Sequence, residues 1–186
     1  MTFKHFDLAI NAGLLVWGLT FAFTASAGWI DWRTRKIPNW LTVPGLIAGI
    51  CIRTIILGWH GLLTSLEGAA LALAILLPVV LVRGLGAGDW KLMGAVGAML
   101  GPLALAVFLI VSSVVAGVMG VLTVIWTRRV RETANNMFVL VQGFFVFGWR
   151  GNPKMTIDNP GLLKLPFGVA AALTTVVCFV LSRWVR

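Results

Sequence analysis

Gly84-Leu85-Gly86-Ala87-Gly88-Asp89-Trp90-Lys91 separates two long apolar runs. An ionisable side chain at such a junction sits at or inside a membrane boundary. There it is unfavourable unless paired, hydrated or neutralised by a shifted pKa. The three glycines ahead of Asp89 let the backbone bend and let neighbours approach closely. The run that follows, Leu92 to Trp126, carries no charge. As one helix it would be about 52 Å long, against a hydrocarbon core of about 30 Å. Gly101-Pro102 is the natural break. The first half is then a short helix that begins close to Asp89 and ends near Gly101. Its Gly94, Gly97, Ala98 and Gly101 are small residues at a spacing that permits tight helix contact.

The composition agrees with lipid as the solvent. The chain is 59% hydrophobic and 11% charged, whereas soluble chains carry roughly 25% charged residues. The mean hydropathy is +0.96. The fold class expected is an all-α, polytopic membrane helix bundle of about six transmembrane helices, a single domain over residues 1–186. Cys51 and Cys178 both lie in apolar runs without CxxC spacing, so neither a zinc site nor a disulfide framework is expected. The net charge of +9 reads as attraction to anionic headgroups and as a topology signal. Nucleic-acid binding is not expected, because the basic residues are scattered between spans instead of forming one groove.

Span one is expected over about Leu8 to Trp29, retained and not a cleaved signal peptide. Asp31, Arg33, Arg35, Lys36 and Ile37-Pro38-Asn39 follow it. Basic residues after a span mark the cytoplasmic side, and Pro38 ends any helix. Spans two and three, about Trp40 to Trp59 and Leu62 to Val82, are joined by an outer turn at His60-Gly61, with a kink expected at Pro78. Arg53 and Glu67 fall at matching depths there and are expected to pair. Span five runs from about Leu103 to Trp126. Met137 to Trp149 is too short to span and reads as an interfacial or re-entrant segment. Pro166-Phe167-Gly168 opens span six, about Phe167 to Trp184. With six spans and both termini outside, Arg33, Arg35, Lys36, Arg83, Lys91, Arg128, Arg129, Arg131, Arg150, Lys154 and Lys164 fall on the cytoplasmic face. Lys4, Arg53, Arg183 and Arg186 fall on the other.

Of the six acidic residues, only Asp31 and Asp89 sit at cytoplasmic ends of spans beside special backbone. Two carboxyls at one site cannot easily both ionise. One keeps its proton and serves as acid, and the other activates water as base. His5 and His60 carry no motif for a serine–histidine site, and there is no HExxH. No cofactor or metal is expected. Structural readings stand beside the catalytic one. Asp89 is a candidate helix N-cap after a glycine loop, and Asp31 a solvated partner of Arg33 or Arg35.

At these residues the chain resembles the type IV prepilin peptidase family of membrane aspartic proteases. The family pattern Gly-x-Gly-Asp is matched by Gly86-Ala87-Gly88-Asp89, with a following basic residue matched by Lys91. The other family aspartate is followed by basic residues and an Ile-Pro-Asn turn, matched by Asp31 to Pro38 and Asn39. A Pro-Phe-Gly before the last span is matched by Pro166-Phe167-Gly168. The resemblance implies Asp31 and Asp89 as the catalytic pair. Gly86, Gly88, Lys91, Pro38, Asn39, Pro166 and Gly168 are the supporting motif residues. It also implies cleavage of the leader of a type IV prepilin, pseudopilin or preflagellin at the cytoplasmic face of the inner membrane. Lys91 or Lys164 is placed to meet an early glutamate of the substrate helix. The chain looks most like the small Tad/Flp-type enzymes. It has no paired-cysteine segment of the kind that accompanies N-methylation, so methyltransferase activity is not expected. Two rival readings remain open at this point. One is a small transporter or channel with Asp31, Asp89 and Arg53 along a polar path. The other is a non-catalytic pilus assembly factor.

Overall fold

The computed structural model describes residues 2–81, 84–128, 133 and 166–184. The Met137–Trp149 segment and Lys164 lie outside the described residues. All regular structure among the described residues is helical: α1 Thr2–Thr34, α2 Asn39–Leu81, α3 Ala87–Leu100, α4 Pro102–Trp126 and α5 Phe167–Trp184. Among the described residues three stretches, Gly13–Thr34 of α1, all of α2 and all of α4, are long and apolar enough to cross a membrane.

α1 extends past its apolar run and carries Asp31 in its last turns. It stops because Arg35 adopts a left-handed φ of 54° and sends its N–H back to the Asp31 carbonyl at 2.8 Å. A side chain in that region is disfavoured, so the ending is imposed by the surroundings and not by local preference.

α2 departs from expectation. Its break falls at Gly58, with φ 62° and ψ −143°, not at the His60-Gly61 turn, and Pro78 lies inside the second arm. That φ favours glycine, and one such residue reverses the chain. The second arm of α2 folds back so closely that a Cβ on Gly61 would overlap the Arg53 carbonyl.

α3 lies in the fork between the two arms. Gly49 of the first arm touches Ala98 and Met99, while Gly68 of the second touches Gly97 and Gly101. Gly94 lies against Leu73. These small residues let backbones meet directly, and every residue from Leu92 to Leu100 is buried. The expected break is present, since α3 ends at Leu100 and α4 begins at Pro102.

A helix end buried this deeply must find donors for its last carbonyls. Here they come from α2 and from the chain itself. Arg53 Nη1 donates to the Met99 carbonyl at 3.2 Å and Ser65 Oγ to the Ala98 carbonyl at 2.8 Å. The Gly101 N–H reaches the Gly97 carbonyl at 2.8 Å. The guanidinium also sits at the negative end of the helix dipole. The expected Arg53–Glu67 pair is therefore corrected. Arg53 spends its other terminal nitrogen on Thr64 Oγ1 at 3.1 Å, and Glu67 is exposed. A buried carbonyl without a donor is the more unfavourable state. Arg53→Met should then destabilise the protein by about 2 kcal/mol, while Glu67→Gln leaves it nearly unchanged. Thermal unfolding in detergent measures both, and equal effects would restore the ion pair.

α1 and α5 run antiparallel. Thr24 Oγ1 and Thr175 Oγ1 share a hydrogen bond of 3.0 Å, and Trp17 meets Phe179 edge-on at 6.4 Å. Gly28 faces Gly168 at backbone contact. α4 packs on α5 and buries Leu105 and Phe108. The exterior is apolar, with Leu15, Ile55, Leu103 and Ile110 exposed, and the interior combines large apolar side chains such as Leu92, Met93 and Phe108 with small and hydroxyl-bearing residues.

Candidate active site

Four helix ends collect at one end of the bundle: the end of α1 and the beginnings of α2, α3 and α5. Lys91 Nζ donates to Asn39 Oδ1 at 2.9 Å. A Cβ on Gly88 would come within 2.8 Å of the Ile37 carbonyl, and one on Gly168 within 3.0 Å of Asp31 Cβ. The Gly58 reversal lies away from them, at the end of the arm that Arg53 and Gly101 share.

Prolines open two of these helices. The Pro38 carbonyl accepts the N–H groups of Leu41 at 3.1 Å and Thr42 at 3.4 Å. The Pro166 carbonyl accepts those of Val169 at 3.1 Å and Ala170 at 3.4 Å. Proline suits a helix start, where its missing N–H has no intrahelical partner to lose.

Asp31 is 5% exposed, and its Oδ2 accepts the Gly168 N–H at 2.8 Å. Gly168 is in the first turn of α5, where amides lack intrahelical acceptors and the dipole is positive. Asp31 is therefore not solvated; of the two bases it is the Arg35 charge that acts on it, while the Arg33 guanidinium stacks over Trp29 at 4.7 Å.

Asp89 lies in the first turn of α3, outside the three long apolar stretches. The N-cap is Gly86, not Asp89, and Asp89 reaches back to accept the Gly86 N–H. This is the reciprocal half of a capping box. A Cβ on Gly86 would stand 2.9 Å from Asp89 Oδ2, so the glycine keeps the carboxyl in place. Burial pushes the Asp89 carboxyl up, the Asp31 charge pushes it further, and the Gly86 amide pulls it back. The net value is about 7. The two acids, 58 positions apart (89 − 31), thus lie within electrostatic reach of each other.

Every supporting residue read from the sequence lies at this same end: Pro38, Asn39, Gly86, Gly88, Lys91, Pro166 and Gly168. Lys91 is engaged by Asn39. Three contributors were not anticipated. Ile37 forms the wall behind Gly88, Gly28 gives Gly168 room, and Trp90 Nε1 anchors the start of α3 on the Leu73 carbonyl at 2.8 Å. Gly28 was findable, since it lies three residues before Asp31 and so shares its helix face. No group of three or more His, Cys, Asp or Glu that could hold a metal occurs among the described residues.

The profile of the type IV leader peptidase family matches residues 18–121, a stretch containing both aspartates. The prepilin leader peptidase/N-methyltransferases of Burkholderia pseudomallei strains 1026b and K96243 are each 34% identical to the chain over 132 residues. That alignment covers 65% of this chain and 40% of each relative. The chain therefore spans well under half the length of the curated relatives it matches. No solved structure matches it significantly.

Proposed function

The chain belongs to the type IV leader peptidase family, and from that premise we propose that it is an aspartic endopeptidase with Asp31 and Asp89 as its catalytic pair. The observation that carries this reading is the convergence of a buried carboxyl, Asp31, and a half-buried one, Asp89, the second holding its proton to about pH 7 partly through the charge of the first. The pair shares one proton and titrates as a unit. The ionised carboxylate takes a proton from water as the water oxygen bonds to the scissile carbonyl carbon. The protonated carboxyl first shares its proton with the carbonyl oxygen. As the tetrahedral intermediate collapses and the C–N bond breaks, a proton passes to the leaving nitrogen. The Gly168 amide and the α5 N-terminus hold Asp31, and the α3 N-terminus holds Asp89.

The substrate proposed is a type IV prepilin or a similar pseudopilin or preflagellin, cut after its leader at the cytoplasmic face of the inner membrane. The bundle is read as one domain of six spans with both termini outside, each arm of α2 counting as one span. Leader cleavage without N-methylation is proposed, since Cys51 and Cys178 stand on different helices and offer no paired-cysteine motif.

The defining experiment is cleavage of a synthetic leader peptide by the purified protein in liposomes, wild type against aspartate variants. Its pH profile is a second test. Activity needs one proton on the pair, so kcat/KM should fall on the alkaline side with a midpoint near the Asp89 value of about 7. A profile flat from about pH 6 to 9 rejects the shared proton. Stability has the same sign. Asp89 binds protons more tightly folded than unfolded, so its contribution is fully present below about pH 4 and is lost as pH rises towards 7.

A further inference from the structure

Among the described residues, buried hydroxyls are bonded, with one exception. Thr20, Thr24, Ser65, Ser112, Thr174 and Thr175 each donate to a carbonyl. Thr42 is 1% exposed, yet its Oγ1 has no hydrogen-bond partner among the described residues. The usual acceptor for a helical threonine is the carbonyl four residues back. Here that is the Pro38 carbonyl, already occupied by the N–H groups of Leu41 and Thr42 at 3.1 and 3.4 Å. A hydroxyl left idle in the interior is unfavourable, and its presence calls for a partner.

The helix register places that partner. Thr42 is one turn into α2 from Pro38. Next to Pro38, Ile37 touches Gly88, and Asn39 bonds Lys91, so this level of α2 is the level of Asp89. Three residues beyond Thr42, Gly45 packs against Phe23, two turns before Asp31 on α1. Thr42 therefore lies between α1 and α3, about one helical turn, roughly 5 Å, beneath the level of the two carboxyls.

We infer that Thr42 is a positioning residue that holds, from inside the bundle, the water which the carboxyl pair activates. The inference rests on the aspartic reading above. The hydroxyl breaks no bond itself. It fixes the water so that one proton points to the ionised carboxylate and the oxygen is free for the scissile carbonyl.

Valine replaces the hydroxyl with a methyl of the same shape, which separates the two possibilities. Removing an idle buried hydroxyl leaves cleavage intact and holds or raises Tm. Removing a water ligand lowers kcat. For Thr42→Val in liposomes with the leader peptide, kcat should fall about ten- to hundredfold. KM should stay within about twofold, Tm should not fall, and Thr42→Ser should restore turnover. Wild-type kcat in Thr42→Val overturns the inference, as does a loss that Ser fails to restore or that comes with a lower Tm. Asp31→Asn and Asp89→Asn are assayed alongside. If they keep cleavage, the aspartic reading itself fails. If they are inactive and Thr42→Val is fully active, only the water assignment fails.

Discussion

Asp31→Asn and Asp89→Asn should each reduce leader cleavage by at least about a thousandfold, and the double variant should be no worse than either single one. The amide removes the ionisable group and keeps the shape. In Asp31→Asn the side chain retains an oxygen that can accept the Gly168 N–H, which Asp31 Oδ2 now receives at 2.8 Å. In Asp89→Asn the amide oxygen can likewise accept the Gly86 N–H. Loss of activity with unchanged Tm and retained peptide binding therefore reports chemistry and not unfolding. Additive losses would mean that the two acids act separately. Cleavage retained in either variant would remove the catalytic pair, whereas no cleavage even by the wild type would return the chain to the assembly-factor reading.

The largest loss of stability should come from Gly68→Val. Gly68 and Gly97 meet backbone to backbone, and a Cβ at position 68 would overlap the Gly97 carbonyl and stand 2.9 Å from Gly101 Cα. The obstacle is backbone on both sides, so a rotamer change cannot relieve it. Relief requires α3 to move off the second arm of α2. That motion pulls the Ala98 carbonyl from Ser65 and the Met99 carbonyl from Arg53. Overpacking of this kind costs about 3 kcal/mol or more, and the lost caps add to it. Gly117→Val is the matched control, because a Cβ there meets nothing within 4 Å. It should leave Tm nearly unchanged. Equal shifts in the two variants would show that the α2–α3 contact is not tight.

Much of this was legible in the sequence where one residue type answers one constraint. An uncharged run too long for a single crossing had to break, and Gly101-Pro102 was the place. Small residues at spacing four on α3 had to face helices, and Gly94 and Gly97 do. Asp31 and Asp89 shared one face of the topology, and their helix ends share one end of the bundle. What stayed hidden depends on choices among distant partners. Gly58 and Gly61 have equal claims as a turn residue, and tertiary packing selects Gly58. Arg53 had an acid at its own depth, yet the Met99 carbonyl, 46 positions away, needed a donor. Gly168 was placed by a motif, but its role as the amide that grips Asp31 depends on Gly28 clearing the space.

Gly101 joins two helices that answer to opposite demands. From Leu92 to Leu100 every position of α3 is enclosed by protein, so each side-chain volume is fixed by its neighbours. Beyond Ser112 no residue of α4 is buried, and apolar residues of similar size can exchange there at little cost. Sequence drift should accordingly be slow on one side of this glycine and fast on the other, although both stretches look alike in hydrophobicity.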